Sequence, residues 1–230
     1  TTIAAVNEAK DAAKAAQAAA KALVDNINKV NTALQNAGNT LDAATTKEAS
    51  DAKTKAGEFL DDNKLKQGAD VAEVNNAAAK LAQVLDKIKA NVEALKGAQN
   101  DAITEINKLP NLSNTQKQAL INEVKAAENT ETVNGALTKA KELDKAIGEL
   151  KDNLASVETT KATDNYKLAD VDKKNDLDKV ASDKDSIISQ AAAALDKAAI
   201  GTLNNKINTT KEALNGNDNK QVAKDVIDAL

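Results

Sequence analysis

The chain has no cysteine, no histidine, no tryptophan and no methionine, and it has one proline, Pro110, and two aromatic residues, Phe59 and Tyr166. Each absence removes a class of chemistry. Without cysteine there is no disulfide framework, no thiol nucleophile and no cysteine-ligated metal. Without histidine there is no imidazole base, no histidine ligand and no Ser-His-Asp triad. The 8 glycines are scattered singly, so no glycine-rich phosphate loop is present. Two aromatics cannot form the stacking platforms that single-stranded nucleic acid requires. No apolar run reaches the roughly 18 residues of a membrane span. No signal peptide opens the chain and no sorting signal closes it. The chain opens at Thr1 without an initiator methionine, and it is expected to be an excised piece of something longer.

What remains is alanine, leucine, lysine, glutamate and glutamine, which favour helix, whereas strands need β-branched and aromatic runs. Hydrophobic residues make up 42% of the 230, but much of that is alanine. With so few large side chains, thin bundles in which helices approach closely are expected in place of one thick core. The 31 basic residues are all lysine and are balanced by 35 acidic ones, for a net charge of -4. This interspersed charge reads as solvated helix faces, and it excludes the basic patch that neutralises phosphates. A catalytic carboxylate pair needs an apolar pocket to raise one pKa, and the material for such a pocket is scarce.

Periodicity and caps divide the chain into helices. The first runs from about Ile3 to Ala37, with Leu23, Ile27, Val30 and Leu34 as its stripe and Gly38 as its stop. Its segment Ala12–Ala22 is nearly all alanine and lysine, which suits close helix packing better than a lipid surface. A second helix starts near Thr45 or Thr46 and ends near Leu60, followed by a loop over residues 61–68. Asp70 and Glu73 then open a long helix from Val71 to Lys108, with Val74, Leu81, Leu85, Ile88, Val92 and Leu95 on one face. Pro110 ends it. Ser113 with Gln116 has capping-box spacing and opens a short helix to about Ala127. Thr130 caps the next long helix, which extends toward Tyr166. One helix after Asp172 carries Leu177, Val180, Ile187 and Ile188. A last pair follows Asp196 and breaks at Gly216–Asn217.

The second half echoes the first. Asp196 lies 126 positions after Asp70, and the same offset carries Val74 to Ile200, Leu81 to Ile207 and Ile88 to Leu214. Leu41 matches Leu168 and Leu60 matches Ile187 at 127.

Two segments of this repeat resemble known modules. AQNDAITEINKLPNLSNTQKQALINEVKAAENTETVNGALTKAKELDKAIGEL, residues 98–150, resembles the GA module, a three-helix bundle first known from bacterial albumin-binding proteins. NYKLADVDKKNDLDKVASDKDSII, with KEALNGNDN downstream, is similar to a FIVAR module. Alternation of the two resembles the giant extracellular-matrix-binding adhesins of staphylococci and related Gram-positive bacteria. The resemblance implies an all-α fold, an elongated string of three-helix bundles joined by shared long helices. The expected order is a FIVAR-like bundle at 1–96, a GA-like bundle at 97–157, a second FIVAR-like bundle at 158–216 and the start of a further GA-like module at 217–230.

The same resemblance implies a non-enzymatic, monomeric fragment of a cell-wall-attached, extracellular adhesin. Its implied partner is a host extracellular matrix protein, fibronectin, held by weak multivalent contacts. A stalk without a specific ligand and a serum-albumin-binding module are the alternatives. Albumin-binding GA modules carry aromatics at the start of the second helix, where this chain has Asn114, Thr115, Gln116, Lys117 and Gln118, a surface without hot-spot anchors. No nucleic-acid partner and no membrane insertion are expected.

No catalytic residue, cofactor-binding residue or metal ligand set is expected, and the ligand-binding residues stay unassigned. The best-spaced acidic group is Asp170, Asp172, Asp176 and Asp178. Lys174, Asn175 and Ala181 stand where an EF-hand loop needs a ligand, a glycine and a glutamate, so the group reads as an acidic helix start. Tyr166 is expected at a bundle junction with a wet hydroxyl, and Phe59 in a core.

Overall fold

Strong helix formers and well-placed caps decide the local structure of this chain. The computed structural model describes residues 2–230 and contains ten helices and one short hairpin among them. Helix α1 (Ile3–Ala37) is opened by Thr2, whose Oγ1 accepts from the Ala5 N–H at 3.4 Å. It stops at Gly38, which takes a φ of +55° at no steric cost and donates its N–H to Leu34 O at 3.0 Å. The alanine-lysine stretch differs from expectation. Burial begins at Ala19 and Leu23, and most of the helix before them lies in solvent. Alanine has the highest intrinsic helix propensity, so this half stays helical with little packing.

Helix α2 (Ala43–Gly57) starts earlier than the threonines suggest, because Asp42 caps it. The Asp42 carboxylate accepts from Thr45 N at 2.6 Å and from Thr45 Oγ1 at 2.9 Å. Its buried face is Thr45, Ala49, Ala52 and Ala56. The expected loop after it contains a hairpin, β1 (Leu60–Asp61) paired antiparallel with β2 (Lys64–Leu65). Asp62 and Asn63 make its two-residue turn with φ of 48° and 62°, the conformation such a turn demands and that Asp and Asn tolerate. Helix α3 (Val71–Lys108) then runs over the expected residues, with Asp70 Oδ1 accepting from Ala72 N at 2.7 Å.

Helix α4 (Asn114–Ala126) is followed by α5 (Thr130–Lys161). Asn129 is the cap of α5, accepting from Thr132 N at 2.8 Å. Helix α5 stops short of Tyr166. Thr163 ends it and opens the single turn α6 (Asp164–Lys167), accepting from Tyr166 N at 3.3 Å. The one helix expected after Asp172 is two, α7 (Val171–Ser182) and α8 (Lys184–Ala193). Ser182 Oγ donates back to Lys179 O at 2.9 Å beside this break. Helix α9 (Lys197–Glu212) is capped by Asp196, and α10 (Gly216–Asp228) follows after Asn215.

The contacts gather into two units, and α3 contributes to both. The first comprises the residues up to Asn100 with Ala127–Thr132. Its core joins Leu23 and Val30 of α1, the alanines of α2, Phe59, and Val74, Leu81, Val84 and Ile88 of α3. The second comprises Asp101–Ala126 with Val133–Leu230. Within it Leu120 and Val124 of α4, Leu143, Leu150 and Val157 of α5, Leu177 of α7 and Ile200 and Ile207 of α9 are buried. Helices α7 and α8 pack on α9, α8 meets α4, and α10 meets α6.

Candidate functional site

Ser113 and Gln116 form the reciprocal capping box that their spacing indicates. Ser113 N donates to Gln116 Oε1 at 2.9 Å, and Gln116 N donates to Ser113 Oγ at 3.2 Å. The same two side chains also reach the end of α8. Gln116 Nε2 donates to Ala191 O at 2.8 Å and to Ala194 O, while Ser113 Oγ donates to Ala192 O at 2.8 Å. The last carbonyls of a helix have no partner within it, and here the N-terminus of another helix supplies donors. Gln116 is consequently 1% exposed, with its amide fully used. The helix start that looked like a polar surface is therefore partly a socket for α8.

The turn after Pro110 is held by a residue that the sequence reading missed. Asp144 of α5, almost fully buried, accepts from Asn111 N at 2.7 Å and from Asn111 Nδ2 at 3.4 Å. Its signal is a lone carboxylate among the core spacings of Ala140, Leu143 and Ile147.

The four acidic residues near the start of α7 go separate ways. Asp170 accepts from Asn215 Nδ2 at 2.8 Å and Asn219 Nδ2 at 3.1 Å. Asp178 accepts from the Tyr166 hydroxyl at 2.7 Å and from Lys161 Nζ at 2.9 Å. The Tyr166 hydroxyl is thus bonded to a carboxylate, where water had been expected. Lys161, and then the tyrosine, hold Asp178 below the usual carboxylate range, and the Asp178 bond pushes Tyr166 up from its ordinary value. Lys161 Nζ also stands 5.9 Å from the Tyr166 ring centroid. Among the described residues no group of three or more His, Cys, Asp or Glu could hold a metal ion. Phe59 is buried, with Lys55 Nζ 5.4 Å from its ring centroid.

The repeat reaches further than the stripes first compared. Leu23, Asn26 and Val30 of α1 recur as Leu150, Asn153 and Val157 of α5, each 127 positions later. All four aliphatic residues are buried. Asn26 Nδ2 donates to Ala78 O at 2.9 Å, and Asn153 Nδ2 reaches Asn204 O, the position 126 after Ala78, at 3.4 Å. Asp70 and Asp196 likewise cap through the residue two ahead, at 2.7 and 3.0 Å. The shared Leu-x-Asp-Asn motif, Leu23–Asn26 and Leu150–Asn153, carries this signal in the sequence. The first unit also bears a groove of about 550 Å³ between α1 and α3, floored by Ala33, Ala37, Leu85, Ile88 and Val92.

Comparison with known proteins accords with this architecture. The family model described as the GA module matches residues 92–146. The extracellular matrix-binding protein EbhA of Staphylococcus aureus strain Mu3 is 33% identical over 158 residues, which is 68% of this chain and 2% of that protein. EbhA of strain Newman is 32% identical over 158 residues, 68% of this chain and 4% of that protein. The chain thus spans only a few per cent of the length of these relatives. A crystallised domain of EbhA from Staphylococcus aureus superposes with a TM-score of 0.66 at 23% identity, covering 92% of this chain and 85% of that one, and so shares the fold. A chain from work on Embp-mediated Staphylococcus epidermidis adherence to fibronectin gives a TM-score of 0.48 at 27% identity, covering 53% of this chain and 98% of that one.

Proposed function

Because this chain is a repeat region of the staphylococcal extracellular-matrix-binding adhesin type, with a GA module at residues 92–146, we propose that it is a non-enzymatic array that holds weak binding surfaces at a bacterial cell wall. Its partner in this reading is a host matrix protein, with fibronectin the first to test. The single observation that carries the reading is the 33% identity to proteins named for matrix binding. The modules run over residues 1–96, 97–157, 158–216 and 217–230. Val222 and Val226 of α10, with Leu230 just beyond its end, are exposed and form the apolar face with which that last module would begin.

Physical chemistry favours affinity by repetition. Few aromatic anchors and a surface of paired charges make each contact weak, and linkage of many copies multiplies weak contacts. The α4 start does not favour albumin, since Gln116 at its centre is buried and bonded to α8. Titration of this chain and of a longer array against immobilised fibronectin tests the proposal. The longer array should bind at least about tenfold more tightly. Equal binding by both lengths removes multivalency, and no binding by either leaves a stalk.

A further inference from the structure

The groove between α1 and α3 is open and apolar, and at the corresponding place in the second copy the helices break, α5 ending at Lys161 and α9 at Glu212. Helices α1 and α3 run in the same direction here, since Asn26 bonds Ala78 and Thr40 shares a cleft with Asn91. The groove follows α1 from Asn28 to Ala37, a length of about 13 Å at 1.5 Å per residue. Its rim is charged unevenly. Lys29 stands beside Leu85 at one end, Lys89 stands midway, and Glu93 stands at the other end. Lys29 has no ion pair among the described residues, because nearby Asp25 bonds Lys21 at 2.6 Å. Lys89 has only an exposed Asp86 at 4.0 Å.

At the repeat offsets of 126 for α3 and 127 for α1, Leu85 becomes Lys211 and Lys29 becomes Ser156. The Lys211 ammonium crosses to Asn153 Oδ1 at 2.9 Å and to Ser156 Oγ at 2.7 Å. Ala37 becomes Asp164, which pairs with Lys220 at 2.9 Å, and Val92 becomes Asp218. The second copy therefore satisfies its polar groups internally where the first leaves aliphatic surface and two lysines facing solvent.

We propose that this groove binds a single-chain aliphatic carboxylate. The alkyl chain lies on Ala33, Ala37, Leu85, Ile88 and Val92, and the carboxylate lies at the Lys29 end, with Lys89 midway along the rim and Glu93 at the far end. The volume falls within the range of ligand pockets, about 300–1,000 Å³. A chain of about ten carbons has the length of the groove. Burial of the chain supplies the attraction, and the two lysines set the direction. This site goes beyond matrix binding and stands or falls separately from it.

The test is calorimetric titration of the whole chain with dodecanoate below its micelle-forming concentration, with dodecanol as the uncharged counterpart. Saturable binding at one site is expected. Leu85→Lys and Val92→Asp, the residues of the second copy, should each weaken binding about tenfold or more while helicity stays unchanged. Joint Lys29→Gln and Lys89→Gln substitution should weaken dodecanoate severalfold and leave dodecanol unaffected. Absence of saturable binding by the unaltered chain overturns the proposal. So does full affinity in folded Leu85→Lys and Val92→Asp variants, or in the double glutamine variant.

Discussion

The two copies of the repeat bury the same stripe on their last helix and cover it with different material. Val74 and Leu81 of α3 and their counterparts Ile200 and Ile207 of α9 are all within 1% of complete burial. Against the first stripe lies α2, whose buried face is three alanines and a threonine. In the second copy the positions of Ala49 and Ala52, 128 further on, are Leu177 and Val180 of α7. Alanine lets a helix approach closely but removes little apolar area from water. The first copy compensates with polar ties. Asn91 Nδ2 reaches Thr45 Oγ1 at 3.4 Å, and Glu48 is held by both Lys80 and Lys87. One backbone plan thus tolerates either an alanine seam fixed by side-chain bonds or an aliphatic seam that does without them.

Exchange of residues between the copies is the strongest way to break this comparison. Leu177→Ala should destabilise the second copy by about 2–5 kcal/mol, through lost transfer energy and an unfilled cavity. Ala49→Leu should not repay that loss in the first copy, since its seam has no room, and overpacking there costs about 1–3 kcal/mol. Urea unfolding followed by circular dichroism measures both. A neutral Ala49→Leu would mean that the alanine seam is loosely packed.

The next difference lies where α3 passes unbroken and the chain between α9 and α10 turns. Ala90 in the first copy corresponds to Gly216 in the second, at an offset of 126. A Cβ on Gly216 would sit 2.2 Å from Asn165 O and 2.7 Å from Asp164 O, both backbone atoms that cannot swing aside. Gly216→Ala should therefore displace α10 from α6 and destabilise that end by about 2 kcal/mol. Ala90→Gly, on an exposed helix face, should cost only about 1 kcal/mol from helix propensity. Hydrogen exchange at the α10 amides distinguishes the two, with faster exchange expected only for Gly216→Ala.

Smaller still is the contrast between the paired asparagines. Asn26 makes one cross-helix bond, to Ala78 O. Asn153 donates to Asn204 Oδ1 and Asn208 Oδ1, both at 2.7 Å, and accepts from Lys211. Asn26→Ala should cost about 1 kcal/mol and Asn153→Ala about twice that, because the latter leaves several part-buried partners unmatched. Thermal melting of the two variants tests the order. Equal losses would mean that the extra bonds of Asn153 contribute nothing.

These contrasts also mark where sequence reading stopped. The ends of α1 and α3 were legible because Gly38 and Pro110 are backbone signals that act locally. The capping box at Ser113 and Gln116 was legible for the same reason. Its second use, holding the carbonyls of α8, was not, because that contact spans 75 residues or more and carries no local signature. The β1–β2 hairpin was hidden by its shortness, two residues a side with a turn lacking glycine. The break between α7 and α8 was hidden because the apolar positions Leu177, Val180 and Ile187 keep helical spacing across it. The groove was invisible because it depends on which side chains of α1 and α3 leave Leu85 and Val92 partly uncovered, and stripes alone do not reveal a filled or empty rim.

The subtlest difference is titratable. The positions of Lys161, Tyr166 and Asp178 correspond in the first copy to Leu34, Asn39 and Ser50, so the cluster exists in the second copy alone. Tyr166 is the only tyrosine, and its ultraviolet titration reports a single group. The Asp178 bond, aided by burial, raises its pKa above the ordinary value of about 10. A raised tyrosine favours the neutral hydroxyl, so its contribution is complete below the unfolded pKa and is lost as pH climbs through the folded one. Asp178 works in the opposite sense. Its depressed pKa gives a contribution that is present above the unfolded pKa and disappears as pH falls through the folded one. Asp178→Asn should therefore bring the Tyr166 midpoint down toward about 10 and flatten the acid limb of the second copy, with little change in stability at neutral pH for so exposed a cluster. A midpoint unmoved by Asp178→Asn would show that in solution the hydroxyl faces water, as it would beside a residue like Ser50.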